Sequence, residues 1–329
     1  MYKKIYHSSD LGQLSFLVTG GAGFIGSGIV QYLLKYGAKK VRVLDNFSTG
    51  SYANIEAFKE HPAFELIEGD IRNLQTCKES LQGMDYVSHQ AALGSVPRSI
   101  NDPILSNEVN ITGFLNMMVA SRDADVKRMI YAASSSTYGD HAGLPKVEEH
   151  IGSLLSPYAV TKYVNELYAG VFSKTYGFHT IGLRYFNVFG PRQNPHGPYA
   201  AVIPLFMEAV LENKTPLING DGETSRDFTF VENAVQANIK ALFAADIYEH
   251  EVINIAFGER TTLNELWSRI NELAGSNIQA QYCPERKGDI KHSLADIRKA
   301  KKLIGYAPEY AVSEGLKLTY DWYSKVYTL

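Results

Sequence analysis

The chain has 329 residues, of which 45% are hydrophobic and 20% charged, and a formal charge of −3. That length can bury one large core or two closely joined ones, and the ordinary globular composition excludes a disordered chain. The slight acidity and the lack of a long basic run exclude nucleic acid as the main partner, two cysteines make neither a disulfide framework nor a metal motif, and no apolar run reaches the roughly 18 residues of a membrane span.

Residues 1–14 read as a short helical or loose extension. Lys3 and Lys4 introduce no apolar leader, so the expected location is the cytoplasm, with neither a membrane nor a metal as partner. The apolar run Phe16–Val18 then reads as a buried strand. Glycines follow at 20, 23 and 26, and Ile25, Ile29, Val30, Leu33 and Leu34 mark one face of a helix that stops at Gly37. Strand, glycine turn and helix together form a phosphate site, because the turn lets backbone approach a pyrophosphate and the helix start offers unpaired N–H groups. The spacing is one residue longer than the common dinucleotide fingerprint, and a plain tight turn fits the same letters.

The next strand, Val41–Leu44, ends in Asp45, nineteen residues beyond Gly26. A carboxylate there accepts hydrogen bonds from both hydroxyls of an adenosine ribose and repels a 2′-phosphate, which favours NAD over NADP. The strand Phe64–Gly69 leads to Asp70 and Ile71, placed to border the adenine. A helix near 74–82, a strand over Asp85–His89 running into Gln90-Ala91-Ala92, a long helix over roughly 103–122 and a strand over Arg128–Ala133 follow. A helix over about 157–176 and a strand starting at Thr180 and running to Asn187 complete the alternation. This pattern predicts an α/β fold with a doubly wound parallel sheet, whose ligands lie at the carboxyl ends of the strands. Gly20, Asp45, Asp70, Ala91, Ser134 and Asn187 all fall on that edge.

The pattern loosens after Gly190. Pro191, Pro195, Gly197 and Pro198 mark a long loop, followed by a helix at about 200–213, a turn at Asn219–Gly222, and helices near 231–245, 262–274 and 313–326. Residues 1–190 therefore read as the cofactor-binding domain and 191–329 as a smaller C-terminal substrate lobe, with 227–256 a candidate to return to the first.

Two stretches carry candidate chemistry. Ser134-Ser135-Ser136 follows a strand, and taken alone such a cluster is usually a turn that hydrogen-bonds itself. Ser156-Pro157-Tyr158 opens a helix, with proline suited to its first turn, so Tyr158 and Lys162 share a face. A free tyrosine, with a pKa near ~10, is a poor base at neutral pH. A neighbouring ammonium and a positive nicotinamide ring both favour its phenolate, making it a general base for an alcohol proton.

With these residues in place the sequence resembles the extended short-chain dehydrogenase/reductases over roughly 16–325. Within them it is similar to the UDP-N-acetylglucosamine 4-epimerases of bacterial surface-polysaccharide pathways. The runs that carry this are Gln90–Ser99, Tyr131–Asp140, Ser156–Tyr168, Gly182–Gly190, Asn219–Phe228 and Gly288–Asp296. The resemblance implies a Rossmann-type fold and NAD-dependent, reversible C4 epimerisation of UDP-N-acetylhexosamines. Tyr158 would be the base, Lys162 would hold the nicotinamide ribose, and Ser134 or Ser135 would bind the sugar 4-hydroxyl. The implied NAD set is Gly20, Gly23, Phe24, Ile25, Gly26, Asp45, Asn46, Ser48, Gly50, Asp70, Ile71, Gln90, Ala91, Ala92 and Val188, with Tyr158 and Lys162. For the UDP-sugar, Asn187 would lie near the diphosphate and Arg226 would clamp phosphate, which suits a guanidinium fork. Arg286 and Asp289 would contact phosphate and uridine ribose, and Ser293 would lie against the C2 side of the sugar. Gly94, Ser95, Ser136, Val202 and Asn219 complete that implied set. A homodimer through the 103–122 and 157–176 helices is expected on the same ground.

One departure bears on the substrate: hexose-specific UDP-galactose 4-epimerases carry lysine where this chain has Gly94. The resemblance leaves open the corresponding 6-carboxylates and plain UDP-glucose. A 4,6-dehydratase needs acidic residues where Ser135 and Ser136 stand, and a non-enzymatic NAD sensor would be expected to have lost Tyr158 or Lys162.

Overall fold

In the first strand, β1 (Ser15–Thr19), every residue is buried, which is the mark of a strand covered on both faces. The computed structural model describes residues 1–195, 200–285 and 291–327. Arg286 and Asp289 lie outside the described residues. After β1 come α1 (Phe24–Lys35), β2 (Lys40–Asp45), β3 (Phe64–Glu68), α2 (Leu74–Ser80), β4 (Tyr86–His89), α3 (Val96–Asn101), α4 (Pro103–Asn107), α5 (Phe114–Asp123) and β5 (Arg128–Ser134). Then follow α6 (Pro157–Tyr176), β6 (Thr180–Tyr185), β7 (Val188–Phe189), α7 (Val202–Leu211), β8 (Leu217–Asn219), β9 (Ser225–Arg226) and β10 (Thr229–Phe230). The chain closes with α8 (Val231–Leu242), β11 (Glu251–Ile255), β12 (Thr261–Thr262), α9 (Leu263–Ala274), β13 (Gln281–Cys283), α10 (Arg298–Ile304) and α11 (Val312–Tyr327).

Seven strands form one parallel sheet in the order β3-β2-β1-β4-β5-β6-β11. The reversal beside β1 is the topological switch point of a Rossmann-type fold, where ligands bind across the crevice. One apolar core, with Ile29, Leu33, Val235 and Ile239, covers one face of the sheet through α1 and α8. A second, with Cys77, Phe114, Met117 and Phe172, covers the other through α2, α5 and α6. A third gathers Phe189, Phe206, Phe230, Trp267 and Leu316 from β7, α7, β10, α9 and α11. Strand β11 pairs with β6 through Glu251–Ile255 and forms the last strand of the sheet.

Three expectations are corrected. Residues 1–14 hold a short 3-10 turn, Leu11–Gln13, as the helical alternative had it, but they are not loose. Tyr2 and Tyr6 are buried, the Tyr2 N–H donates to Glu232 Oε1 at 2.6 Å and the Tyr6 N–H to Tyr32 Oη at 2.6 Å, so the segment is fastened to α8 and α1. The helix over 103–122 is broken by a π-helical turn, Glu108–Gly113. There Asn110 spends its side chain on the backbone of Leu93, accepting from its N–H at 2.8 Å and donating to its carbonyl at 3.0 Å. A wide turn inserted in a helix commonly sits beside a functional site. Finally, α3 and α10 form where no helix was expected.

Candidate functional site

The carboxyl ends of β1, β2, β4, β5 and β6 open into a 390 Å³ cavity. Its phosphate end is the turn between β1 and α1. Gly20 adopts φ +66°, and a Cβ on Gly26 would stand 2.1 Å from the Gly20 carbonyl oxygen, so the turn closes only with glycine at both positions. No side chain caps α1 at Gly23, so the first-turn N–H groups of a 12-residue helix face the cavity beside Gly20, Gly23, Phe24, Ile25 and Gly26. At the far end stands Asp45. Its Oδ2 accepts from the Ala22 N–H and its Oδ1 from the Phe47 N–H, both at 2.9 Å. Burial raises its pKa while these backbone donors lower it. Each oxygen keeps a lone pair for a further donor. Asp70 and Ile71 continue the wall. The Asp70 carboxylate is also gripped by Arg72, at 2.7 Å, and by Asn46 Nδ2, at 3.0 Å, which lower its pKa.

The chemical end is set by α6. Ser156 caps the helix through the Ala159 N–H, and Pro157 occupies its first turn. The Tyr158 N–H donates to Ser99 Oγ at 2.9 Å, so α3 braces the first turn of α6. Tyr158, Lys162 and Ser134 all line the cavity. Burial raises the Tyr158 phenol, and the Ser134 hydroxyl beside it works in the opposite direction. Burial also lowers Lys162, to about 8. Its Nζ donates to the Ala132 carbonyl at 2.8 Å and lies 6.0 Å from the centre of the Tyr158 ring. Burial is the larger influence on the phenol, and the ammonium is turned towards a carbonyl.

A second cavity, of 730 Å³, adjoins the first. Asn187 and Val188 line both. It is walled by Val202, Asn219, Arg226, Phe228 and Cys283, among others. Asn187 holds φ +37°, a conformation that asparagine tolerates better than most residues, and its Nδ2 donates to the Asp227 carbonyl at 3.2 Å. Arg226 Nη1 donates to the carbonyls of Ser225 and Lys291, at 3.1 and 3.2 Å.

Of the residues singled out in the sequence, Asn46, Ser48, Gln90, Ala91, Ala92 and Gly94 also border the first cavity. Gly50, Ser95, Ser135, Ser136 and Ser293 are not among the residues lining either. Ser95 spends its hydroxyl capping α3, Ser136 spends its own on Ser134 at 2.7 Å, and the Ser293 N–H is bonded to the Ser225 carbonyl at 3.1 Å. Reasoning from sequence passed over Tyr185. It lines the cavity and sits in a closed polar ring: its Oη donates to Gln90 Oε1 at 3.1 Å and accepts from Asn238 Nδ2 at 2.7 Å, while Gln90 Nε2 donates to Asn238 Oδ1 at 3.0 Å. A polar residue ending a parallel strand was the available signal.

The first cavity fits a dinucleotide. It has an uncapped helix start for a pyrophosphate, a buried carboxylate for a ribose diol, and a Tyr–Lys–Ser group for an alcohol and a nicotinamide. No cluster of His, Cys, Asp or Glu that could hold a metal ion occurs among the described residues, nor is any helix among them long and apolar enough to cross a membrane.

The family model described as "NAD dependent epimerase/dehydratase family" matches residues 16–256. A putative UDP-glucose 4-epimerase of Methanocaldococcus jannaschii is 37% identical, covering 93% of this chain and 97% of its own length. The structure of a UDP-N-acetylglucosamine 4-epimerase from Methanobrevibacter ruminantium, in complex with UDP-N-acetylmuramic acid, is 39% identical with a TM-score of 0.90, covering 96% of this chain and 99% of that one. A Thermus thermophilus UDP-glucose 4-epimerase in complex with NAD is 35% identical with a TM-score of 0.85, covering 94% of this chain and 99% of that one.

Proposed function

Because the chain belongs to the NAD dependent epimerase/dehydratase family and is an NAD-using UDP-sugar 4-epimerase, we propose that its substrates are UDP-N-acetylglucosamine and UDP-N-acetylgalactosamine. The observation that carries this reading is the junction of the two cavities at Asn187 and Val188. A sugar spanning it brings C4 to Tyr158 and Ser134 while its diphosphate lies along Arg226.

NAD, when bound beside Tyr158 and Lys162, would supply the reversible hydride acceptor that inversion at C4 requires. The chain supplies the rest. The Tyr158 phenolic oxygen takes the 4-hydroxyl proton and gives it back, with Ser134 holding the same sugar oxygen. Lys162 binds the nicotinamide ribose, and Asp45 binds the adenosine ribose. Arg226 grips the diphosphate as a charge-assisted fork. Anchoring the nucleotide while the sugar stays loosely held lets the ring present both faces.

One feature of the structure and one of the resemblance support an N-acetylated sugar. A Cβ placed on Gly94 would meet no atom within 4 Å, so the wall stays open where hexose-specific relatives carry lysine. Ser293 borders neither cavity in the structure; the resemblance sets it against the C2 side of the sugar, where those relatives carry an aromatic ring. Ser293→Tyr should fill the acetyl space, at a cost of about 1–3 kcal/mol for overpacking, or roughly 5- to 150-fold. The expected result is a fall in kcat/KM for UDP-N-acetylglucosamine with UDP-glucose largely spared. Equal loss on both substrates, or no change on either, would remove Ser293 from the sugar pocket.

The proposed assembly is a homodimer. Ile100, Ile104, Val160, Leu167 and Val171 are large, apolar and exposed, and α3 and α4 pack beside α6, so they make a contiguous surface of the kind that marks an interface.

A further inference from the structure

One residue past Arg226 lies a buried carboxylate for which the proposed reaction has no use. Asp227 is fully buried, and both of its oxygens are filled by backbone donors. Oδ1 accepts from Phe257 and Gly258, each at 3.1 Å, and Oδ2 accepts from Gly258 and Ala295, each at 3.2 Å. The same residue's carbonyl accepts from Asn187 Nδ2. Two residues on, the Thr229 N–H donates to the Asn187 carbonyl at 3.2 Å and Thr229 Oγ1 to the Phe186 carbonyl at 2.6 Å. One short segment therefore fixes three others: the end of β6, the loop after β11, and the stretch carrying Ser293. Phe257, Gly258 and Ala295 line a separate surface groove.

We propose that Asp227 is the positioning residue of the sugar-nucleotide site, its carboxylate tying the 257–258 and 295 backbone to Arg226 and Asn187 so that diphosphate and sugar are held in a fixed relation. The inference rests on the UDP-sugar reading of that site. Only an ionised carboxylate serves here, because it accepts at both oxygens and donates at neither. An amide at this position would turn N–H donors towards the N–H groups of Gly258 and Ala295 and break their bonds.

The carboxyl is pushed up to about 7 by burial, against the pull of its backbone donors. The site's hold on the sugar nucleotide should therefore be full above that value and fall as pH drops through it. Among the described residues, the other charged or titratable groups on the surrounding segments are Arg226, Glu259, Lys291, His292, Asp296 and Tyr306. Tyr306 faces Asp227 with its phenol held well above its usual value by burial, and Arg226 stays cationic throughout. His292 bonds Ser225 at 2.9 Å.

The test uses the full chain with its co-purified cofactor. In Asp227→Asn, KM for UDP-N-acetylglucosamine should rise at least tenfold while kcat falls less than threefold and bound NAD stays at the wild-type level. A merely structural role would lower kcat and NAD content together. An unchanged KM overturns the proposal. Arg226→Ala serves as the control: if it too leaves KM unchanged, the UDP-sugar reading of the second cavity fails, and the proposal with it. A second measurement needs no change at Asp227. In Tyr158→Phe, which keeps the sugar unreacted, calorimetric affinity for UDP-N-acetylglucosamine should be at least threefold weaker at pH 6 than at pH 8. Affinity that is flat or stronger at pH 6 overturns the proposal.

Discussion

Lys162 and Tyr158 occupy one face of α6, yet the ammonium is aimed at the Ala132 carbonyl rather than at the phenol oxygen. Burial raises the phenol and lowers the ammonium to about 8, so on the proposed mechanism the charge that would favour the phenolate is present below about pH 8 and fades above it. Replacing Lys162 by Met removes that charge at every pH. The rise of kcat with pH should then move upwards by more than one unit, with kcat at pH 7 reduced by the ~10²–10⁴ typical of lost acid–base catalysis. An unshifted pH–rate profile would show that Lys162 does not tune the base. The cavity positions of Asp45, Asp70, Ser134, Tyr158 and Lys162 were legible in the sequence because strand ends and helical spacing decide where they go. The hydroxyls of Ser95, Ser135 and Ser136 were not. A serine points into a cavity or back onto its own turn according to local backbone geometry, and these serve the turns or lie beside them.

Among the elements, the turn between β1 and α1 has the least room for change. Gly26→Ala places a methyl group 2.1 Å from the Gly20 oxygen and 2.9 Å from the Gly21 Cα, and backbone there cannot yield without opening the phosphate cradle. The purified variant should carry less than a tenth of the wild-type NAD, read by absorbance after denaturation, with its far-UV circular dichroism preserved. Full NAD content would contradict the cradle's geometry. Element boundaries were readable where the stop signals are strong. Ser156 and Pro157 open α6 and Gly177, at φ +64°, closes it, in agreement with the 157–176 expected. The π-helical turn was hidden, since it depends on Asn110 reaching Leu93, a contact across the fold. Likewise α3, at six residues, is too short to show a helical period.

On the scale of the whole molecule, the parallel sheet and its binding edge followed from β-α alternation, because the central strands are buried on both faces and each crossover brings the chain back to start the next strand at the same edge. The role of residues 2–7 did not: two tyrosines in a polar segment carry no period, and only the assembled fold shows them between α1 and α8. The proposed dimer predicts that Leu167→Glu combined with Val171→Lys, on the exposed face of α6, yields a monomer by sedimentation while the unmodified chain sediments as a dimer. Identical sedimentation of the two would place the interface elsewhere.

Reversible inversion at C4 with a recycled cofactor has a distinctive isotopic signature. Purified protein, without added NAD, is incubated with UDP-N-acetylglucosamine carrying deuterium at C4 of the sugar and followed by nuclear magnetic resonance. The expected outcome is a mixture of UDP-N-acetylglucosamine and UDP-N-acetylgalactosamine, with deuterium retained at C4 of both. A 4-keto-6-deoxy product, deuterium lost to solvent, or no conversion at all would contradict it.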